Sequence, residues 1–200
     1  MAASLTALGL AARVVSPVLA AALLDGVLPV IPPAGWELGP PQWGPVDAAA
    51  CPDDGVVCPT PAALAAAFVR HCLEPVALPL VRAVGAPSGV SATVLVGNVT
   101  SAVAGAAGMI ARQRPDVAGP ASAVMVQLLA EGPLAGTGTW GRRDNAPSRT
   151  FLRRSCCLLY RLPGAAPCGD CVLLLRGPRG TVPGRERPPD PPVGKAVGAR

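Results

Sequence analysis

Four of the chain's seven cysteines lie in SCCLLYRLPGAAPCGDC, the stretch from Ser155 to Cys171. No other feature narrows the folding options as far, because thiols this close must be turned onto a shared centre or kept apart. Cys156 and Cys157 are adjacent, and ten residues then separate Cys157 from Cys168. Cys168-Gly-Asp-Cys171 is a C-x-x-C turn, which lets two thiolates reach one metal, with Gly169 easing the backbone. Neighbouring residues of an extended chain point to opposite faces, so Cys156 and Cys157 serve one centre only if the chain bends there or the centre is large. A disulfide between neighbours would need a strained ring. Leu162-Pro163-Gly164-Ala165 is a type II turn signal that would fold the second pair back on the first. Leu158, Leu159, Val172 and Leu173 would then wall the pocket.

Two occupants suit four thiolates, a structural Zn²⁺ and an iron–sulfur cluster, with a disulfide framework as a third option. Zinc sites are usually built from two short-spaced pairs, which adjacent cysteines are not. A two-iron cluster is larger, and one sequence pair per iron is a natural division. Such a cluster carries a charge of roughly −2 when oxidised and more when reduced. The neighbourhood is basic: Arg142, Arg143, Arg149, Arg153, Arg154, Arg161 and Arg176 stand against Asp144 and Asp170. Positive charge there favours the reduced cluster and an anionic partner.

The 200-residue chain favours one domain, with room for a small appendage. Half of it is apolar, mostly Ala, Val and Leu, with three Trp, two Phe and one Tyr. Small apolar side chains suit closely packed helices. The expected fold is mainly α: a helical body over residues 1–147, a cysteine-rich segment over 148–176 that could include a short hairpin, and a disordered Pro/Gly-rich tail over 177–200. Residues 4–24 read as two short helices, the second begun by Pro17, and as core in preference to an export signal. Thr60-Pro61 should cap a long helix that kinks at Pro75 or Pro79. Helices should follow from about Ser91 to Arg114 and over about 121–129, with residues 132–149 as linker.

Val14–Leu24 is too short to span a bilayer, and the polar residues of the uncharged run Ala83–Ala111 favour a buried helix. The chain is therefore expected in the cytoplasm without a transmembrane span, though peripheral membrane contact is compatible with it. Net charge +5 resides almost wholly on Arg, a compositional habit that argues little for nucleic acid. GTGTWG at Gly136–Gly141 fits a dinucleotide fingerprint only by chance, since no apolar strand precedes it and no helix should follow. A single histidine, His71, supports no Ser-His-Asp constellation. Cys51, Cys58, His71 and Cys72 match no metal spacing and read as incidental. Asn98 reads as a helix-packing amide, and Trp36 and Trp43 as packing or loop anchors.

RRSCCLLYRLPGAAPCGDC also resembles the C-terminal signature of the FhuF-type ferric siderophore reductases. That signature is Cys-Cys-x₁₀-Cys-x₂-Cys, commonly with the Tyr160-Arg161-Leu162-Pro163-Gly164 and Cys168-Gly169-Asp170-Cys171 found here. AARVVSPVLAAALL and VGNVTSAVAGA are similar to segments of the family's helical body. Val172 departs from the proline that often follows the last cysteine. The resemblance implies a [2Fe–2S] cluster on Cys156, Cys157, Cys168 and Cys171. It further implies one-electron reduction of a cytoplasmic ferric siderophore, typically a hydroxamate, with electrons from a separate donor. Arg153, Arg154 and Trp140 are the expected docking residues. Two other readings stand beside it: a zinc-stabilised basic module for nucleic acid or protein, and an iron–sulfur carrier or redox sensor without a siderophore substrate.

Overall fold

The computed structural model describes residues 2–39, 48–142 and 149–173. Trp43, Arg143, Arg176, the expected tail and both ends of the expected cysteine segment lie outside these residues. Helix α1 (Ala2–Asp25) lies across the core against α4 (Ala92–Gln113), which also carries α5 (Ala118–Ala130). Helices α2 (Pro61–Phe68) and α3 (Leu78–Gly85) flank them, α2 packing on α5 and α3 on α1. The mainly helical expectation holds. Ala7, Ala11 and Val15 of α1 and Val99, Val103 and Ala107 of α4 are all buried, and their small size lets the two backbones approach closely.

Residues 4–24 form one helix, not two. Pro17 stands inside it, where it removes one backbone donor, while Val14, Val15, Val18 and Leu19 bury around it. Packing on both sides of the proline outweighs the lost hydrogen bond. The chain from Pro61 to Gly85 also runs through its prolines. A π-helical stretch at Val69–Ala77 widens the turn around Pro75, and Pro79 sits near the start of α3, where its missing N–H matters least. The caps are as expected: Thr60 Oγ1 accepts from Ala63 N at 3.1 Å, and Ser91 Oγ accepts from Val94 N at 3.4 Å. Helices α1, 61–88 and α4 are long and apolar enough to cross a membrane by length and composition, yet about half of each is buried inside the protein.

Three antiparallel strand pairs complete the described fold. Strand β1 (Val27–Val30) pairs with β4 (Asp54–Val57), and β2 (Trp36–Leu38) with β3 (Ala48–Ala50). Strand β5 (Gly138–Arg142) pairs with β6 (Arg149–Arg153), setting Trp140 opposite Phe151 and Gly138 opposite Arg153. This hairpin corrects the reading of 132–149 as linker: glycine hides the strand locally, and pairing with β6 creates it. It also joins the two expected domains, because the 147/148 boundary falls between its strands. β6 packs on α4 and β5 on α5, so the hairpin delivers the cysteine segment to the helical body.

Candidate metal centre

The cysteine segment leaves β6 at Arg153 and is pinned to α4 and α1 by polar side chains. Arg153 N donates to the carbonyl of Asp170 at 3.0 Å, which lays the C-x-x-C turn beside the strand end. Asp170 accepts a short hydrogen bond from Ser101 Oγ of α4. Ser4 Oγ, in the first turn of α1, donates to the carbonyl of Cys157 at 2.9 Å. Buried polar groups must be paired, and the bond to Asp170 gives Ser101 its place on a largely apolar helix. Thr100 Oγ1 lies 2.9 Å from Thr137 Oγ1, fixing the entry to the hairpin.

Between the cysteine pairs the chain turns twice. Leu158 adopts a left-handed conformation, φ 70°, unusual for a residue with a branched side chain. It bends the chain immediately after Cys157 and brings its own N–H to Cys156 Sγ at 3.3 Å. At the far end Ala165 N donates to the Leu162 carbonyl at 3.1 Å across Pro163-Gly164, with Gly164 at φ 76°, the expected turn. Leu158, Leu159, Val172 and Leu173 are half-buried around it.

Folding back brings the four thiols into two facing pairs. Cys157 Sγ is 3.4 Å from Cys168 Sγ, and the Cys156 thiol interacts with that of Cys171. Each pair thus combines one vicinal cysteine with one from the C-x-x-C turn. These contacts join each vicinal cysteine to a different partner of the C-x-x-C turn, as diverging adjacent side chains allow. All four are free thiols; Cys157 and Cys171 are buried, and Cys156 and Cys168 half-buried. Burial, and then the neighbouring Cys171 and Cys157, push the Cys156 thiol up. Burial, followed by Asp170 and Cys157, does the same more strongly at Cys168. Such thiols stay protonated until a cation displaces the protons.

Among the described residues no three His, Cys, Asp or Glu side chains converge as they would around one ion. Two sulfur pairs suit a two-iron group better than a single tetrahedral ion. Backbone N–H groups aimed at sulfur also belong to such a site: besides Leu158, Leu173 N lies 3.5 Å from Cys171 Sγ. Cys51 is exposed, while Cys58 and Cys72 are buried core thiols; with His71 they form no cluster.

The expected docking residues separate. Arg153 is only 1 % exposed, so it cannot meet a chelate arriving from solvent. Its strand position explains this: Arg153 lies on the same face of β6 as buried Phe151, towards α4. Trp140 is half-buried, donates from Nε1 to Ser122 Oγ at 3.0 Å, and lines a cleft of about 740 Å³ with Arg112 and Gln127. Arg154 is exposed and donates to the Gly136 carbonyl at 3.3 Å. Arg161, also exposed, sits over the Tyr160 ring at 5.9 Å, close enough to Cys156 to feel its charge. Ser4 and Ser101 escaped the sequence reading, which gave Leu158 only as an apolar wall and Asp170 only as a nearby acid. Of these, Asp170 alone carries a local signal, its place inside the C-x-x-C turn.

The family model described as the FhuF 2Fe-2S C-terminal domain matches residues 153–173. No curated protein and no solved structure matches the chain. The matched stretch starts at the buried arginine and ends just past the last thiol. Over that stretch the chain is similar to the FhuF 2Fe-2S C-terminal domain, and its cofactor is a [2Fe–2S] cluster.

Proposed function

We propose that the protein is a ferric siderophore reductase, with Cys156, Cys157, Cys168 and Cys171 as the ligands of its cluster. The observation that carries this is the arrangement of the four thiols within the matched segment, two of them buried and two half-buried, with Cys157 against Cys168 and Cys156 interacting with Cys171. When bound, the cluster supplies one electron at a time, received from a separate donor. The chain's own residues do the rest. Leu158 and the Pro163-Gly164 turn hold the sulfurs together, and Ser4 and Asp170 fix the two halves of the segment to the helical body. Exposed Arg161, which interacts with Cys156, and exposed Arg154, two residues before Cys156 in sequence, offer positive charge to an anionic or oxygen-rich chelate. Siderophores hold Fe³⁺ through hard oxygen donors and Fe²⁺ far more weakly, so a one-electron transfer releases the metal and leaves the chelate intact. This needs no acid, base or nucleophile.

Free thiols throughout the chain support a reducing, cytoplasmic setting. The substrate is then an imported ferric chelate of hydroxamate type, and nucleic acid is no partner. The test is anaerobic mixing of reduced protein with a ferric hydroxamate in the presence of a ferrous-iron chelator. Reoxidation of the visible spectrum together with capture of Fe²⁺ is expected, slowed by Arg154→Glu. A protein that stays reduced while the chelate stays ferric would reject the substrate and leave an electron carrier.

A further inference from the structure

Arg153 is the largest fully buried side chain among the described residues. A buried cation normally has a carboxylate partner, because leaving water uncompensated is costly. Arg153 has none among the described residues. Its Nη2 donates to Asn98 Oδ1 at 2.7 Å and, at 3.4 Å, to Ser155 Oγ, both neutral acceptors. Its Nε and Nη1 are buried with no hydrogen-bond partner.

Hydrogen bonds link the guanidinium to the backbone of the cysteine segment. Asn98, fully buried, donates from Nδ2 to Ser4 Oγ at 3.1 Å and to the Ser4 carbonyl at 2.7 Å. Ser4 Oγ in turn donates to the carbonyl of Cys157. On the other side, Arg153 N holds the Asp170 carbonyl, one residue before Cys171. Gly97 leaves the necessary space, since a Cβ there would run into Ser155 Oγ and Arg153 Nη2. Asn98 at this position completes the hydrogen bonds without neutralising the charge, which an aspartate would do.

We propose that Arg153 is a positioning and potential-setting residue: its buried, unneutralised guanidinium, held by Asn98, compensates the negative charge of the [2Fe–2S] centre and raises its reduction potential. The inference rests on the cluster assignment made above. It replaces the docking role expected of Arg153, and it explains why a cation is retained where no solvent or substrate can reach it. The reduced cluster is the more negative form, so a fixed positive charge nearby favours it.

The test is a redox titration of the cluster-loaded protein, followed by visible absorbance and EPR, in Arg153→Gln, Arg153→Lys and Asn98→Asp. Arg153→Gln removes the charge; Asn98→Asp neutralises it with a side chain of the same size. Both should shift the one-electron equilibrium towards the oxidised form by about tenfold, ~59 mV, whereas Arg153→Lys should shift it less. A loaded Arg153→Gln with the wild-type potential overturns the proposal. Should Arg153→Gln fail to load, Asn98→Asp decides: a lowered potential supports the proposal and an unchanged one overturns it. If neither loads, loading restored by Arg153→Lys supports a charge role, and its failure makes Arg153 structural only. A wild-type protein without any cluster would instead defeat the functional reading.

Discussion

Ser4 and Cys157, 153 residues apart, are joined by a 2.9 Å hydrogen bond from the serine hydroxyl to the cysteine carbonyl. Ser4 is fully buried, and the same hydroxyl accepts from Asn98. The first turn of the first helix therefore holds the vicinal thiol pair in place. Ser4→Ala leaves a buried carbonyl unpaired, at a cost of about 1–3 kcal/mol. A thermal melt should show a fall of several degrees, together with faster release of iron to a chelator. A variant that melts lower but keeps its iron as firmly as wild type would detach Ser4 from the metal site.

Asp170 does for the second pair what Ser4 does for the first. Its carboxylate is bound by Ser101 Oγ and its carbonyl by Arg153 N. Loss of an orienting partner typically weakens metal binding by about 10- to 100-fold. Asp170→Ala and Ser101→Ala should therefore shed iron faster than wild type, with Asp170→Ala the worse of the two. Timed loss of visible absorbance under a chelator measures it, and equal rates in all three proteins would dismiss the contact.

Gly138 faces Arg153 across the hairpin. A Cβ at Gly138 would enter the Phe151 ring and approach the Leu152 carbonyl to 2.6 Å. Backbone cannot yield as a side-chain tip can, so Gly138→Ala should cost about 1–3 kcal/mol of stability. Because β6 ends at Arg153, the same change should loosen the cysteine segment. Urea denaturation monitored beside the cluster spectrum would show both effects. Gly105→Ala, in the middle of α4 where a Cβ meets nothing within 4 Å, serves as the comparison and should hold or raise stability.

Cys72 is buried away from the candidate centre, and burial pushes its thiol up from 9.0 to about 12. A folded-state value raised above the unfolded one favours the fold wherever the thiol is protonated in both states. That contribution is complete below pH 9 and is lost as pH climbs towards 12, amounting to about 4 kcal/mol at the top of the range. Melting temperatures of wild type and Cys72→Ala should accordingly converge between pH 9 and pH 12. Parallel curves would show that Cys72 ionises as freely in the fold as outside it.

Much of this arrangement can be read in the chain before it folds. The spacing of the four cysteines, the Pro163-Gly164 turn and the Thr60 cap are local signals, each set by residues close to one another in the chain. Arg153 shows where local reading stops. Beside Arg154 it looks like half of a surface pair, and only its shared strand parity with Phe151 hints that it points inward. Its partner Asn98 lies 55 residues away, joined to it by helix packing and not by any motif. Strand β5 was hidden in the same way, because GTWGR has poor strand propensity and gains its conformation from β6. The pairing of Cys157 with Cys168 also depends on the third dimension: Leu158 takes a backbone conformation that nothing in its side chain favours.

Iron and acid-labile sulfide analysis of anaerobically purified protein, paired with EPR after dithionite, tests the central claim most directly. Two irons and two sulfides per chain are expected. So are visible absorbance and a signal from the reduced protein, all lost when Cys156, Cys157, Cys168 and Cys171 are changed to serine. Colourless protein holding one zinc per chain, silent after dithionite, would contradict the account.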